Sequence, residues 1–241
     1  KKTECARPEL SNDGVPNVDA VLTTRELGDM VKAMGINFHG LPEESFDDPM
    51  GFSTGAADIF GVTGGVMEAA LRTVYEIITG RELPFPNLHV SPIVGLEEIK
   101  EATIKLENVK PEWRAAEGFE VKIAVTSGFA GARKLMDQIR NGTSPYHFIE
   151  VMGCPGGCIT GGGQPRPQEN IEIVRQKRME ALYGEDECKT VRKSHENQSL
   201  MHFYKEWGGP GCHASHEYLH THYVKRGKYN ELTNENFVVD K

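Results

Sequence analysis

The segment that most restricts this chain is FIEVMGCPGGCITGGGQP, residues 148–165. An apolar run ends in two thiols, Cys154 and Cys158, with glycines between and after them. Glycine removes side-chain bulk and admits left-handed backbone. The main chain can then approach a large inorganic group and donate N–H bonds to it. Soft thiolates select iron–sulfur groups, zinc or copper(I). A structural zinc site wants C-x2-C or C-x4-C and a further ligand pair, and a redox dithiol wants C-x2-C at a helix N-terminus. The spacing here is C-x3-C, with no second pair. The bland alternative is a glycine-rich turn with two buried thiols, but so much glycine makes a poor turn unless something fills the space.

Composition narrows the classes. With 241 residues the chain can bury a sizeable core, in one large domain or two small ones. Hydrophobic residues make up 38% and charged residues 26%, ordinary for a globular protein. A formal net charge of −8 argues against a nucleic-acid binder or an anionic-membrane binder. No apolar run reaches the roughly 18 residues that would suggest a membrane span. Five cysteines (Cys5, Cys154, Cys158, Cys188 and Cys212) are too few and odd in number for a disulfide framework. Lys1-Lys2-Thr3-Glu4-Cys5 lacks the apolar stretch of a signal peptide. The expected location is cytoplasmic, or periplasmic if a signal lies upstream. Because the first residue is Lys1 and not Met, the sequence is expected to be a fragment or a processed chain.

Periodicity outlines the elements. Residues 18–22 read as a strand, and Thr24 as the cap of a helix over 25–34 closed by Gly35. The glycine-rich stretch 51–65 leads into a helix over 66–79, whose Val66, Ala70, Val74 and Ile77 share a face and which Gly80 ends. Strands are expected at 89–94, 102–106, 119–125 and 147–152, with a helix at 130–140 between the last two. Beyond Arg166 the pattern is helical, at 170–183, 196–207 and 215–223. The fold class expected is α/β, with mixed sheets flanked by helices and a helical C-terminal section. Residues 225–241 read as a polar tail.

Two further constellations carry weaker signals. Gly55, Gly61, Gly64 and Gly65 precede a helix, as a phosphate cradle would. Without G-x-G-x-x-G or G-K-[ST] a nucleotide site is poorly supported. A glycine-lined wall against a cofactor and plain close packing remain open for each glycine. Near the C-terminus, His213, His216 and His220 fall at i, i+3 and i+7, with Cys212 and His222 alongside. Capping, packing or hydrogen bonding explains such histidines more readily than a metal does. Ser194 or Asn197 is expected to cap a helix.

FIEVMGCPGGCITGGGQP closely resembles the third signature of [FeFe]-hydrogenases, F-[IV]-E-V-M-x-C-x-G-G-C-x-x-G-G-G-Q-P. GAADIFGVTGGVMEAA at 55–70 is similar to that family's glycine-rich wall, and VDAVLTTRE at 18–26 and HTHY at 220–223 also resemble it. The resemblance spans residues 1–224, read as the C-terminal part of the H-cluster domain. It implies a two-lobed fold, partly represented here, and reversible H2 oxidation and proton reduction. The implied cofactor is the H-cluster, a [4Fe-4S] cubane bridged by a cysteine sulfur to a two-iron CO/CN⁻ dithiolate unit. Cys154 would ligate the cubane and Cys158 would bridge the two parts. Met152 and Phe60 would pack beside the two-iron unit. Lys1-Lys2-Thr3-Glu4 is similar to the family's M-P-C-x-x-K-K-x-E run cut after its cysteine, which would make Lys1 the donor to a cyanide. Two of the four cysteine ligands would then lie upstream, and this chain by itself is expected not to assemble the cluster. Implied partners are ferredoxin or NAD(P)-linked electron-transfer subunits, with no nucleic acid and no membrane insertion. Alternatives sharing these motifs are an H2-sensing relative and an iron–sulfur assembly protein of the nuclear-prelamin-recognition type.

Overall fold

The structure is a computed structural model, and it describes residues 5, 7–45, 47, 52–85 and 99–220. A 3-10 turn at Pro8–Leu10 leads into a short hairpin, β1 (Ser11–Asn12) and β2 (Val15–Pro16), paired antiparallel. Asp13 and Gly14 turn it with φ of 53° and 78°, the left-handed pair that an Asp-Gly hairpin turn supplies. Helix α1 (Thr24–Ala33) follows. Its cap is Thr23, not Thr24: the Glu26 amide donates to Thr23 Oγ1 at 3.2 Å, and the Thr23 amide donates to Glu26 Oε2 at 2.9 Å. That reciprocal pair is a capping box. Residues 18–22 form no strand. Among the described residues no strand pairs with them, and Val18 and Leu22 remain 37% and 51% exposed.

A short helix, α2 (Gly55–Asp58), and a 3-10 turn at Ile59–Gly61 lead into α3 (Gly65–Thr79). The apolar stripe of α3 runs through Met67, Leu71 and Tyr75, one position out of phase with the face expected from Val74 and Ile77, which are 47% and 43% exposed. Strands β3 (Ile99–Lys105) and β4 (Glu120–Ser127) then pair antiparallel. Helix α4 (Phe129–Arg140) crosses over to β5 (Phe148–Met152), which pairs parallel to β4. The order β3-β4-β5 makes a small mixed sheet. The predicted α/β class holds, and β3, β4, α4 and β5 fall within a few residues of the predicted spans. The strand expected at 89–94 and the polar tail lie outside the described residues.

Alternation along β4 explains the layering. Ile123 and Val125 face α3 and join Met67, Leu71, Tyr75, Ile104 and Leu106. Ala124 faces the other way and packs with Ile99 and Leu135 of α4. Full burial of a side chain such as Met67, Ile123 or Leu135 contributes about 1.5–3 kcal/mol, so the sheet sits between two helices by necessity. The C-terminal section is helical as expected: α5 (Ile171–Cys188), α6 (Gln198–Trp207) and α7 (His213–Leu219). Asn170 and Asn197 cap α5 and α6 through their side-chain oxygens. No helix among the described residues is long and apolar enough to cross a membrane.

Candidate metal centre

Strand β5 delivers the two thiols. It is tied into the sheet at its last residue, where the Gly128 amide donates to the Met152 carbonyl at 2.7 Å. The chain then turns on itself. The Gly157 amide donates to the Cys154 carbonyl at 2.9 Å, and the Gly161 amide to the Cys158 carbonyl at 3.0 Å. Ser127 Oγ accepts from the Gly156 amide at 2.9 Å, pinning the middle of the turn to the end of β4. Gly156 and Gly157 have φ of 81° and 92°, backbone that a side chain would strain. Cys154 and Cys158 carry free, exposed thiols, while Ile159 between the second thiol and Thr160 is buried.

The glycine-rich stretch lies against this turn. A Cβ on Gly157 would sit 2.8 Å from both the Gly61 carbonyl oxygen and the Thr63 amide nitrogen, and 3.2 Å from Met152 Sδ. Ile159 enters an apolar cluster with Ile59, Val62 and Tyr183. The two motifs that resemble the family are therefore neighbours in space, joined backbone to backbone. Phe60 is 45% exposed on the 3-10 turn, Met152 is half-buried beside Gly157, and Lys1 lies outside the described residues.

A third motif residue binds the two together. Glu150 points from β5 at the N-terminus of α3, where it accepts the Gly64 amide at 2.6 Å and the Met67 amide at 2.7 Å. An anion is favoured there by the orphan amides and the helix dipole. Burial pushes the Glu150 carboxyl above its ordinary value, with these amides pulling against it. Sequence reasoning passed over this residue. Its signal was a lone carboxylate inside an apolar strand, which must find buried donors.

Sequence reasoning also missed an ionic cluster between α3 and α5. Arg72 donates to Glu68 at 2.6 Å and to both Asp186 oxygens at 2.7 and 2.8 Å. Arg192 reaches Asp186 at 2.6 Å, and Tyr183 donates to Glu68 at 2.8 Å. Asp186 is fully buried. Burial raises its carboxyl, but the hydrogen bonds from Arg72 and Arg192 outweigh that and hold it below the ordinary value. Glu68 and Arg72 at i, i+4 were the available hint.

Around the C-terminal histidines, the Ser215 amide donates to Cys212 Sγ at 3.4 Å, a helix cap. The His216 and His220 rings lie 5.0 Å apart. Among the described residues no group of three or more His, Cys, Asp or Glu side chains is placed to hold a metal. His222 lies outside them.

The turn fits a thiolate-held iron–sulfur group on three counts. Its donors are two free soft thiols. A Cβ on Gly161 would stand 3.7 Å from Cys154 Sγ, so glycine keeps the flank of that sulfur clear. Thr63 in the adjoining stretch is 9% exposed, and its buried hydroxyl has no hydrogen-bond partner, a group that a sulfur or anionic acceptor would satisfy.

Comparison with known proteins agrees. Residues 1–162 match the family model described as iron only hydrogenase large subunit, C-terminal domain, and residues 171–226 match iron hydrogenase small subunit. The NADP-reducing hydrogenase subunit HndD of Solidesulfovibrio fructosivorans is 48% identical over 227 residues, covering 94% of this chain and 36% of that protein. Iron hydrogenase 1 of Clostridium pasteurianum is 40% identical, covering 93% and 38%. A solved structure of a variant of [FeFe]-hydrogenase HydA1 from Chlamydomonas reinhardtii superposes with a TM-score of 0.74 at 40% identity, covering 92% of this chain and 60% of that one. Protein NAR1 of Arabidopsis thaliana is more distant, 28% identical over 92% of this chain and 48% of its own length. The chain thus spans little more than a third of the two hydrogenase relatives it matches. With the large-subunit model accounting for residues 1–162 and two hydrogenases at 40% identity or more, this chain belongs to the iron-only hydrogenase family.

Proposed function

We propose that the protein carrying this chain interconverts H2 with protons and electrons at an H-cluster, for which this chain supplies Cys154 and Cys158. The observation that supports this best is the pair of free thiols at the end of β5, backed directly by the glycine-rich stretch. Cys154 Sγ would hold the cubane, and Cys158 Sγ would join it to the two-iron unit. When bound, the H-cluster supplies the centre at which H2 is split or formed and the store for the electrons exchanged. The polypeptide holds and shields it. Met152 and Phe60 would keep the two-iron unit apolar and exclude water. Lys1 would donate to an anionic cyanide, a role suited to a compact ammonium in a dry pocket. Thr63 and the amides of the turn would donate to sulfur, and such outer hydrogen bonds tune potential. Electrons would pass to ferredoxin or to an NAD(P)-linked subunit. HndD, whose name describes an NADP-reducing enzyme, favours the latter.

Cys158→Ser in the full-length, anaerobically matured protein is the test. H2 turnover should fall to background, along with the infrared bands of CO and CN⁻. Turnover equal to wild type would overturn the assignment. A second reading, iron–sulfur assembly, rests on the likeness to Protein NAR1. Wild-type protein that binds a cubane but neither makes nor consumes H2 would favour it.

A further inference from the structure

Helix α5 belongs to the region matched by the small-subunit model, yet two of its arginines reach the cysteine turn. Arg178 donates through Nη1 to the Ile159 carbonyl at 2.6 Å and through Nη2 to the Pro165 carbonyl at 2.9 Å. One guanidinium thus brackets the whole Thr160-Gly161-Gly162-Gly163-Gln164 run, which begins two residues after Cys158. Within that run Gly162 meets nothing within 4 Å, Thr160 bonds back into the turn, to the Gly157 carbonyl at 3.2 Å and to the Pro155 carbonyl, and Gly163 is tied to the start of α1, its carbonyl accepting the Arg25 amide at 3.2 Å beside Thr23. One helical turn earlier, Arg175 lies against Gly156, where a Cβ would collide with its side chain, and it is steadied by Glu172 at 2.6 Å.

We propose that Arg178 is a positioning residue for the cluster: its forked guanidinium clasps the carbonyls of Ile159 and Pro165 and so fixes the direction in which Cys158 presents its sulfur. This rests on the reading of Cys158 as a cluster ligand. The physical case is that a planar guanidinium holds two acceptors in a fixed fork, whereas an ammonium is a compact point charge on a flexible stem whose donors impose no such geometry. A glycine triplet is conformationally loose, and Arg178 adds to the tie between Gly163 and α1 an anchor at each end of the run, the nearer one on the residue next to Cys158. The cation acts a second way. A cubane with thiolate ligands is anionic, and a nearby positive charge favours its reduced form. The fork and the charge are separable by substitution.

The experiment uses full-length, cluster-loaded protein and compares wild type with Arg178→Ala and Arg178→Lys. Three quantities are read: the rate of iron loss to bathophenanthroline, the cubane midpoint potential followed by electron paramagnetic resonance, and the melting temperature of the apoprotein. Outer partners of metal ligands typically contribute about 10–100-fold in metal affinity, so iron should leave Arg178→Ala at least about tenfold faster, with a more negative potential. Arg178→Lys should restore the potential but not the retention. Wild-type retention in Arg178→Ala overturns the proposal, as does full recovery of retention in Arg178→Lys. Iron loss that merely follows a falling apoprotein melting temperature across the variants also overturns it. Should the alanine variant fail to fold, the lysine variant decides alone: faster loss at an unchanged melting temperature supports the clasp, and wild-type retention refutes it. Retention and potential are measured without H2 turnover, so a cluster-binding protein that makes no H2 would sink the functional reading and leave this result legible.

Discussion

Residues 55–65 and residues 153–163 are both glycine-rich, yet the first stretch is mostly buried and in the second only Gly157 and Ile159 are. The difference lies in what each glycine meets. In the first stretch a Cβ on Gly65 would run into the carbonyl of Ile59, one on Gly55 into the Asp186 carboxylate, and one on Gly61 to 2.9 Å from Leu182 Cδ1. These are packing glycines, which let α2 and α3 close onto their own turn and onto α5. In the second stretch Gly156, Gly157 and Gly163 abut Arg175, the Gly61–Thr63 backbone and Thr23, whereas Gly153 and Gly162 meet nothing within 4 Å. There glycine serves conformation and clearance near the thiols. The first stretch is thus chiefly packing, and the second combines packing with left-handed and open positions around the thiols.

Three substitutions would break or sharpen that contrast, and each can be followed by urea unfolding. The largest effect is expected on the packing side, where Asp186→Ala strips Arg72 of one of two carboxylates in a buried site. Breaking a buried pair costs about 3–5 kcal/mol, and the remaining Glu68 places this case near 3. The pH profile should change with it. The Asp186 carboxyl is depressed in the folded state, so its stabilisation is complete above the ordinary value of 3.8 and is lost as pH falls through the lower folded value. Wild type should therefore lose stability in that acid range more steeply than Asp186→Ala, and parallel profiles would contradict the ionic account. Next, Gly65→Ala should cost about 2 kcal/mol, since the obstacle is backbone and cannot swing aside. The smallest effect is expected for Gly162→Ala, within about 0.5 kcal/mol. A large loss there would contradict the open space around Gly162.

Much of the frame was legible. Alternation in β4, the apolar repeat leading to Gly80 in α3 and the Ser127-Gly128 break before α4 are local signals, and all three elements appear close to where they put them, though the buried face of α3 is one position off. Residues 18–22 were misread because an apolar run is a strand only when another strand pairs with it, and pairing is not a local property. The hairpin at residues 11–16 was overlooked even though Asp13-Gly14 is a strong turn signal. The two thiols stand out by spacing and glycine content, and the roles proposed for them come from the resemblance of residues 148–165 to the family signature. The roles of Glu150 and Asp186 were not legible, because their partners lie far off in sequence, 86 positions from Glu150 to Gly64 and 114 from Asp186 to Arg72, and that of Arg178 was not, because its partners are backbone carbonyls, which leave no mark in the sequence. A charged side chain that resolves its burial through a remote partner looks, in one dimension, like an ordinary surface residue.

Glu150 also bears on the order of events during folding. Its carboxylate accepts from an amide 86 positions earlier, so this contact closes a long loop. Closure of that kind is entropically costly and tends to come late relative to local helix formation. The Cys154 and Cys158 turn hangs from the same strand, and it gains its fixed orientation only once β5 has docked beside β4 and Glu150 has reached α3. Presentation of the thiols is therefore expected late in chain assembly, after the sheet is built. Amide hydrogen exchange during refolding would time this, with protection at Gly64 and Met67 expected to lag behind that of α3's central turns.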